Sequence, residues 1–136
     1  MSAEAPAPDK YVARELHPAA RRFYDRLGEG RPSTTRCARC EVTSFPPRER
    51  CPRCGDVQEW VELPEEGRLH AFTTQEGGLR FRAPAVIALA DVGEVTLPGV
   101  MEGPYESLRI GQPVRVRTRP EPETGVPVIE FTTDVS

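Results

Sequence analysis

Cys37-Ala38-Arg39-Cys40 and Cys51-Pro52-Arg53-Cys54 contain every cysteine in the chain, and ten residues separate the two pairs. A Cys-x-x-Cys turn aims two thiolates at one point. A second such turn completes a tetrahedron around Zn2+ at about 2.3 Å per Zn–S bond. With all four positions filled by protein no coordination site stays open, so the metal staples the fold rather than acting on a substrate. A disulfide framework would need an exported chain, yet the first ten residues (Met-Ser-Ala-Glu-Ala-Pro-Ala-Pro-Asp-Lys) contain no apolar signal core. A thioredoxin-like motif would use one Cys-x-x-Cys beside a βαβ unit, and none is visible. Gly55 follows the second knuckle, where a left-handed residue suits the turn. Glu41 stands at the matching place after the first, where it is expected to be mildly strained.

No other group of residues makes a catalytic set. His17 lies at a helix boundary beside Pro18 and His70 lies in a strand, and both read as structural. The chain has no Gly-x-Ser-x-Gly elbow, Walker loop or Gly-x-Gly-x-x-Gly turn. What remains is arginine, at seventeen residues against one lysine. Arg36, Arg39, Arg48, Arg50 and Arg53 crowd the knuckles and either hold phosphates, of a nucleic acid or of a phosphorylated small molecule, or form a solvated positive face. Arg115, Arg117 and Arg119 alternate with Val114 and Val116 on one strand and form an outward row. Such a row with exposed aromatics could bind single-stranded nucleic acid. The candidate aromatics Phe72 and Phe81 follow no stacking pattern, however, and the net charge is −3, so nucleic acid is not the favoured partner.

Three units must position these residues: 1–32, a leader and helix; 33–65, the ribbon; and 66–136, a β-barrel. Residues 1–8 read as disordered, and a helix can start near Asp9 but must break or restart at Pro18. From Pro18, Ala20, Phe23, Tyr24 and Leu27 form one apolar face closed by Gly28. That face either packs on the rest of the chain or docks on another protein, and Phe23, Tyr24 and Leu27 are the candidate partner-binding residues. The ribbon, with Trp60 capping its small core, buries too little apolar area to fold without metal. Beyond Gly67, strands are expected at 68–75, with Leu69, Ala71 and Thr73 on one face, and at 85–92, 95–101, 113–119 and 126–133. A short helical turn should end near Leu108. Five strands with a break after the third suit an OB-fold better than a sandwich. The fold class is thus mainly β: an N-terminal helix, a rubredoxin-like four-cysteine zinc ribbon and a C-terminal five-stranded OB barrel. No apolar run spans a membrane, and the cysteine usage suits a reducing, cytoplasmic setting.

The order of these parts resembles a known family. It runs from a Phe-Tyr helix through Arg36-Cys37, Phe45-Pro46-Pro47-Arg48, Cys51-Pro52-Arg53-Cys54-Gly55 and Trp60. It continues through Gly67-Arg68-Leu69-His70-Ala71-Phe72-Thr73 and Ala85–Leu89 to Leu108-Arg109-Ile110-Gly111-Gln112-Pro113-Val114. The chain is similar to the acyl-CoA-associated zinc-ribbon/OB-fold family, long catalogued as a domain of unknown function. The resemblance implies structural zinc and a non-catalytic accessory subunit of a thiolase-superfamily enzyme, in which Arg36, Arg39, Arg48, Arg50 and Arg53 would meet a partner surface or the phosphates of coenzyme A. That enzyme would be a thiolase or a lipid-transfer-type aldolase of steroid side-chain breakdown, working on acyl-CoA thioesters. A hot-dog-fold hydratase is a further partner known in the family. No hydratase domain is fused here, so the partner is expected in trans, or the chain is a fragment of a longer protein. The alternative from another class is a nucleic-acid-binding zinc-ribbon/OB protein.

Overall fold

A computed structural model describes residues 17–75, 85–121 and 124–134. Helix α1 covers Pro18–Gly28, with Pro18 at its first position and the His17 ring accepting the Ala19 N–H at 3.2 Å. Proline costs nothing there, because the first-turn N–H groups have no helical partner. The expected helix from Asp9 lies outside the described residues.

Three short strands, β1 (Ser33–Cys37), β2 (Val42–Ser44) and β3 (Glu59–Glu62), form the ribbon sheet in the order β2-β1-β3. The turn after β2 contains a cis Phe45–Pro46 peptide. Five more strands close a barrel in the order β4-β5-β6-β8-β7: β4 (Glu66–Gln75), β5 (Ala85–Val92), β6 (Val95–Met101), β7 (Pro113–Pro120) and β8 (Pro127–Thr132). A 3₁₀ turn, Tyr105–Ser107, sits between β6 and β7. The short parallel contact of β6 with β8, at Val100 and Met101, completes the ring.

Leu69, Val92, Leu97, Val114 and Phe131 fill the barrel, each at most 1% exposed. Gly99 is required where β6 passes this core. A Cβ there would lie 2.7 Å from the Phe131 ring and 2.8 Å from the Ile129 carbonyl.

Two expected patterns change in the folded chain. The strict alternation of β4 is broken by a bulge at His70: Leu69 pairs with Ala90, but Ala71 pairs with Leu89 and Phe72 with Ala88. An extra residue inverts the faces beyond it, so Phe72 packs against the core instead of pointing outward and meets Tyr105 edge-on at 5.2 Å. The apolar run Ala85–Ala90, whose composition suits a buried strand, is enclosed on only one face. Ala88 and Ala90 are enclosed, whereas Leu89 is 40% exposed.

The docking role of the helix face also needs correction. Ala19, Phe23 and Leu27 are buried, and Phe23 and Leu27 belong to the barrel's core cluster. Phe23 meets Tyr24 and Phe45 edge-on at 5.3 and 5.6 Å. The face therefore packs on its own chain. Of the three candidate partner-binding residues, Tyr24 alone is half-buried, beside an apolar groove of about 250 Å3 against β6 and β8.

Candidate functional site

The two knuckles are built alike. The Glu41 N–H closes the first on the Cys37 carbonyl at 2.7 Å, and the Gly55 N–H closes the second on the Cys51 carbonyl at 2.9 Å. Both residues are left-handed, Glu41 at φ 59° and Gly55 at φ 82°. The turn geometry thus holds at both places, with the backbone strain borne by a glutamate at one of them.

The four sulfurs lie within 4.8 Å of one another. Across the knuckles, Cys37 and Cys54 are 3.6 Å apart and Cys40 and Cys51 are 4.0 Å apart. The edge of a tetrahedron with Zn–S bonds of about 2.3 Å is about 3.8 Å, so the donor set fits the ion. Backbone N–H groups of Cys40 and Arg53 point at the Cys37 and Cys51 sulfurs, both at 3.3 Å. N–H donation from Cys54 and Arg53 lowers the Cys51 thiol to about 7. The hydrogen bond with Cys54, then burial, pushes Cys40 up to about 12. Thiolates this close repel one another, and a dication resolves that conflict.

The sheet that carries the first knuckle is buried through hydroxyls. Ser33, Thr34 and Thr35 are 0% exposed. The Ser33 hydroxyl donates to the Arg31 carbonyl at 2.8 Å, and the Thr34 hydroxyl donates to the Ser44 carbonyl. Thr35 Oγ1 accepts the Arg48 N–H at 2.9 Å, and the Gln58 amide donates to the Arg48 carbonyl at the same distance.

The arginines divide into two populations. On the barrel, Arg115 faces Glu65, Glu66 and Asp134 at 3.5–3.9 Å, Arg117 pairs with Asp134, and Arg119 pairs with Glu130 at 3.0 Å. The outward row is therefore neutralised by the chain's own carboxylates. Around the metal, only Arg39 reaches a carboxylate, Asp56 at 3.7 Å, and Arg50 donates to the Gly55 carbonyl at 3.1 Å. Arg36, Arg48 and Arg53 make no ion pair among the described residues.

Two arrangements escaped sequence reasoning. Arg22 and Arg26 lie over the Trp60 ring, 6.0 and 5.5 Å from its centre. Trp60 is thus shared between β3 and the helix rather than capping the ribbon alone; the i, i+4 spacing of the two arginines was the only available signal. His70 Nδ1 also lies 3.1 Å from Asp91, whose other oxygen accepts the Thr96 hydroxyl at 2.9 Å. Thr96, then His70, holds the Asp91 carboxyl below its usual range. His70 and Asp91 lie on neighbouring strands 21 residues apart, so no local spacing signals the pair.

Among the described residues, no helix is long and apolar enough to cross a membrane. Two family models match in tandem: the rubredoxin-like zinc ribbon domain of ChsH2 over residues 27–58, and the C-terminal OB-fold domain of ChsH2 over residues 60–119. No curated relative matches the sequence. Among solved structures, a chain of the "Ltp2-ChsH2(DUF35) aldolase" is similar at TM-score 0.77 and 23% identity, over 89% of this chain and 98% of that one. A DUF35-family protein of unknown function from Sulfolobus solfataricus is similar at TM-score 0.62 and 20% identity, over 93% and 92%. The fitted sulfur tetrahedron and the ribbon match make the metal a structural zinc. Taken together, the two matches span about two thirds of the sequence in a single order, and the chain belongs to the ChsH2 (DUF35) family of zinc-ribbon/OB-fold proteins.

Proposed function

We propose that this chain is a non-catalytic accessory subunit of a thiolase-fold enzyme, a thiolase or lipid-transfer-type aldolase, acting on acyl-CoA thioesters in the cytoplasm. The tandem family match carries the reading. It is supported by the likeness to a chain of a solved ChsH2-containing aldolase. The side chains best suited to chemistry are otherwise engaged: the thiols by zinc, His17 in capping α1, and His70 with Asp91 on an exposed strand. A steroid side chain is the proposed acyl group, and a hot-dog-fold hydratase is a second candidate partner. The ion-paired Arg115, Arg117 and Arg119 row argues against the nucleic-acid alternative.

The test is affinity capture of the tagged chain from its host at moderate salt, read by mass spectrometry. The expected result is a stoichiometric thiolase-like or aldolase-like enzyme whose thioester activity is lost when the small subunit is omitted. A specific interface of about 1,600 Å2 withstands moderate salt, whereas phosphate contacts weaken steeply with it. Recovery of nucleic acid alone, shed as salt rises, would sink the accessory role. Turnover of a thioester by the purified chain would overturn its non-catalytic part.

A further inference from the structure

The chain is electrically divided. Residues 17–63 carry nine arginines against seven acidic residues, and residues 64–134 carry seven against eleven. Where the positive half gathers, α1 and the second knuckle enclose an open cleft of about 630 Å3, lined by Arg22 of the helix, Arg50 of the ribbon and Trp60. Val57, 69% exposed, belongs to the same lining. Arg22 and Arg26 hold their guanidiniums over Trp60, and neither makes an ion pair among the described residues. Stacking orders these long side chains in advance, so less rotamer entropy is lost when a ligand engages them.

The composition selects among anionic occupants. Asp25 and Glu49 also line the cleft and would repel a polyphosphate or nucleic acid backbone. The Trp60 ring already has guanidiniums against it, which disfavours base stacking. A polypeptide suits the site better. Its carboxylates can pair with forked guanidiniums, its own donors can meet Asp25 and Glu49, and an apolar side chain can cover Val57 beside Trp60. Tryptophan and arginine are also the residue types that anchor protein interfaces.

We infer that the cleft between α1 and the second knuckle docks an acidic polypeptide segment of a partner protein. Arg22 and Arg50 take its carboxylates, and Val57 with Trp60 takes an apolar side chain. Only the identity of that partner rests on the accessory-subunit reading; the recognition chemistry stands apart from it.

Trp60 is the sole tryptophan, so its emission reports on this cleft. The zinc-loaded chain is titrated with a glutamate-rich peptide carrying leucine, with inorganic pyrophosphate, and with single-stranded oligothymidylate. A saturable change in Trp60 emission is expected with the peptide and not with the other two. Affinity should fall about tenfold in Arg22→Gln/Arg50→Gln and should be unchanged in Arg117→Gln. Val57→Asp, a fully surface-compatible change, should weaken the same titration with zinc content intact. No response to the peptide, or an equal response to pyrophosphate or oligothymidylate, overturns the inference. If the captured enzyme is retained undiminished by Val57→Asp and Arg22→Gln/Arg50→Gln, the docking role is likewise overturned while the accessory role survives. If the peptide binds as expected but no enzyme is captured, the cleft's chemistry is upheld and the accessory role falls.

Discussion

Phe131, Leu97, Leu69, Val92 and Val114 fill the barrel with hydrocarbon, whereas the fully enclosed positions of the ribbon sheet are Ser33, Thr34 and Thr35, with Cys37 beside them. Burying one large apolar side chain contributes about 1.5–3 kcal/mol, while a satisfied hydroxyl nets about 1 kcal/mol. The barrel can therefore hold itself, and the ribbon depends on metal. The charges follow the same division. Arg115, Arg117 and Arg119 on the barrel lie against carboxylates, while Arg36, Arg48 and Arg53 of the ribbon make no ion pair among the described residues. The region with the weaker core carries the surface with free binding capacity, which is affordable because the zinc supplies its rigidity.

Removing the metal should separate the two regions most sharply. Zinc binding contributes on the order of 10 kcal/mol or more to small modules of this kind. Chelation, or Cys37→Ser or Cys54→Ser, is expected to abolish metal retention and erase ribbon signals in two-dimensional NMR. Amides of Val92, Val114 and Phe131 should stay protected; simultaneous loss of both sets would mean that the barrel leans on the ribbon. The reciprocal change, Phe131→Ala, opens a cavity in the barrel and should cost about 3–5 kcal/mol in denaturant unfolding. Zinc stoichiometry should be unaltered at low denaturant.

A smaller effect probes the ribbon's own strain. Glu41 occupies a left-handed conformation at φ 59°. Glu41→Gly relieves that strain but frees the unfolded chain, for an expected net gain of about 0.5–1 kcal/mol in metal competition or thermal melting. A loss of stability would show that the glutamate side chain contributes to the first knuckle. The smallest effect concerns the barrel's ion pairs. The Thr132 hydroxyl, then Arg117 and Arg115, holds Asp134 below its usual range. Its contribution is therefore present above the unfolded value near 3.9 and is lost as pH falls through the lower folded value. Asp134→Asn should lower barrel stability slightly at neutral pH, converge with the parent below about pH 4, and so flatten the acid limb of a melting-against-pH series.

Much of the site was legible because its signals are local. The knuckle spacing, the left-handed need at Gly55 and Glu41, and the end of α1 at Gly28 are all set within a few residues. The inversion of β4 was not legible, because the bulge at His70 is decided by how β5 pairs across the barrel. Nor could sequence decide where the face of α1 points. An amphipathic stripe states that something covers it, and Phe23 and Leu27 turn out to be covered by the barrel.

The sequence by itself determined the tetrahedral cysteine set and the order of helix, ribbon and barrel, since ligand spacing and strand periodicity are properties of short segments. Tertiary structure alone decided which arginines are neutralised, that Arg22 and Arg26 meet Trp60, and which apolar faces remain open. Those outcomes depend on long-range packing, in which side chains dozens of residues apart compete for the same neighbours.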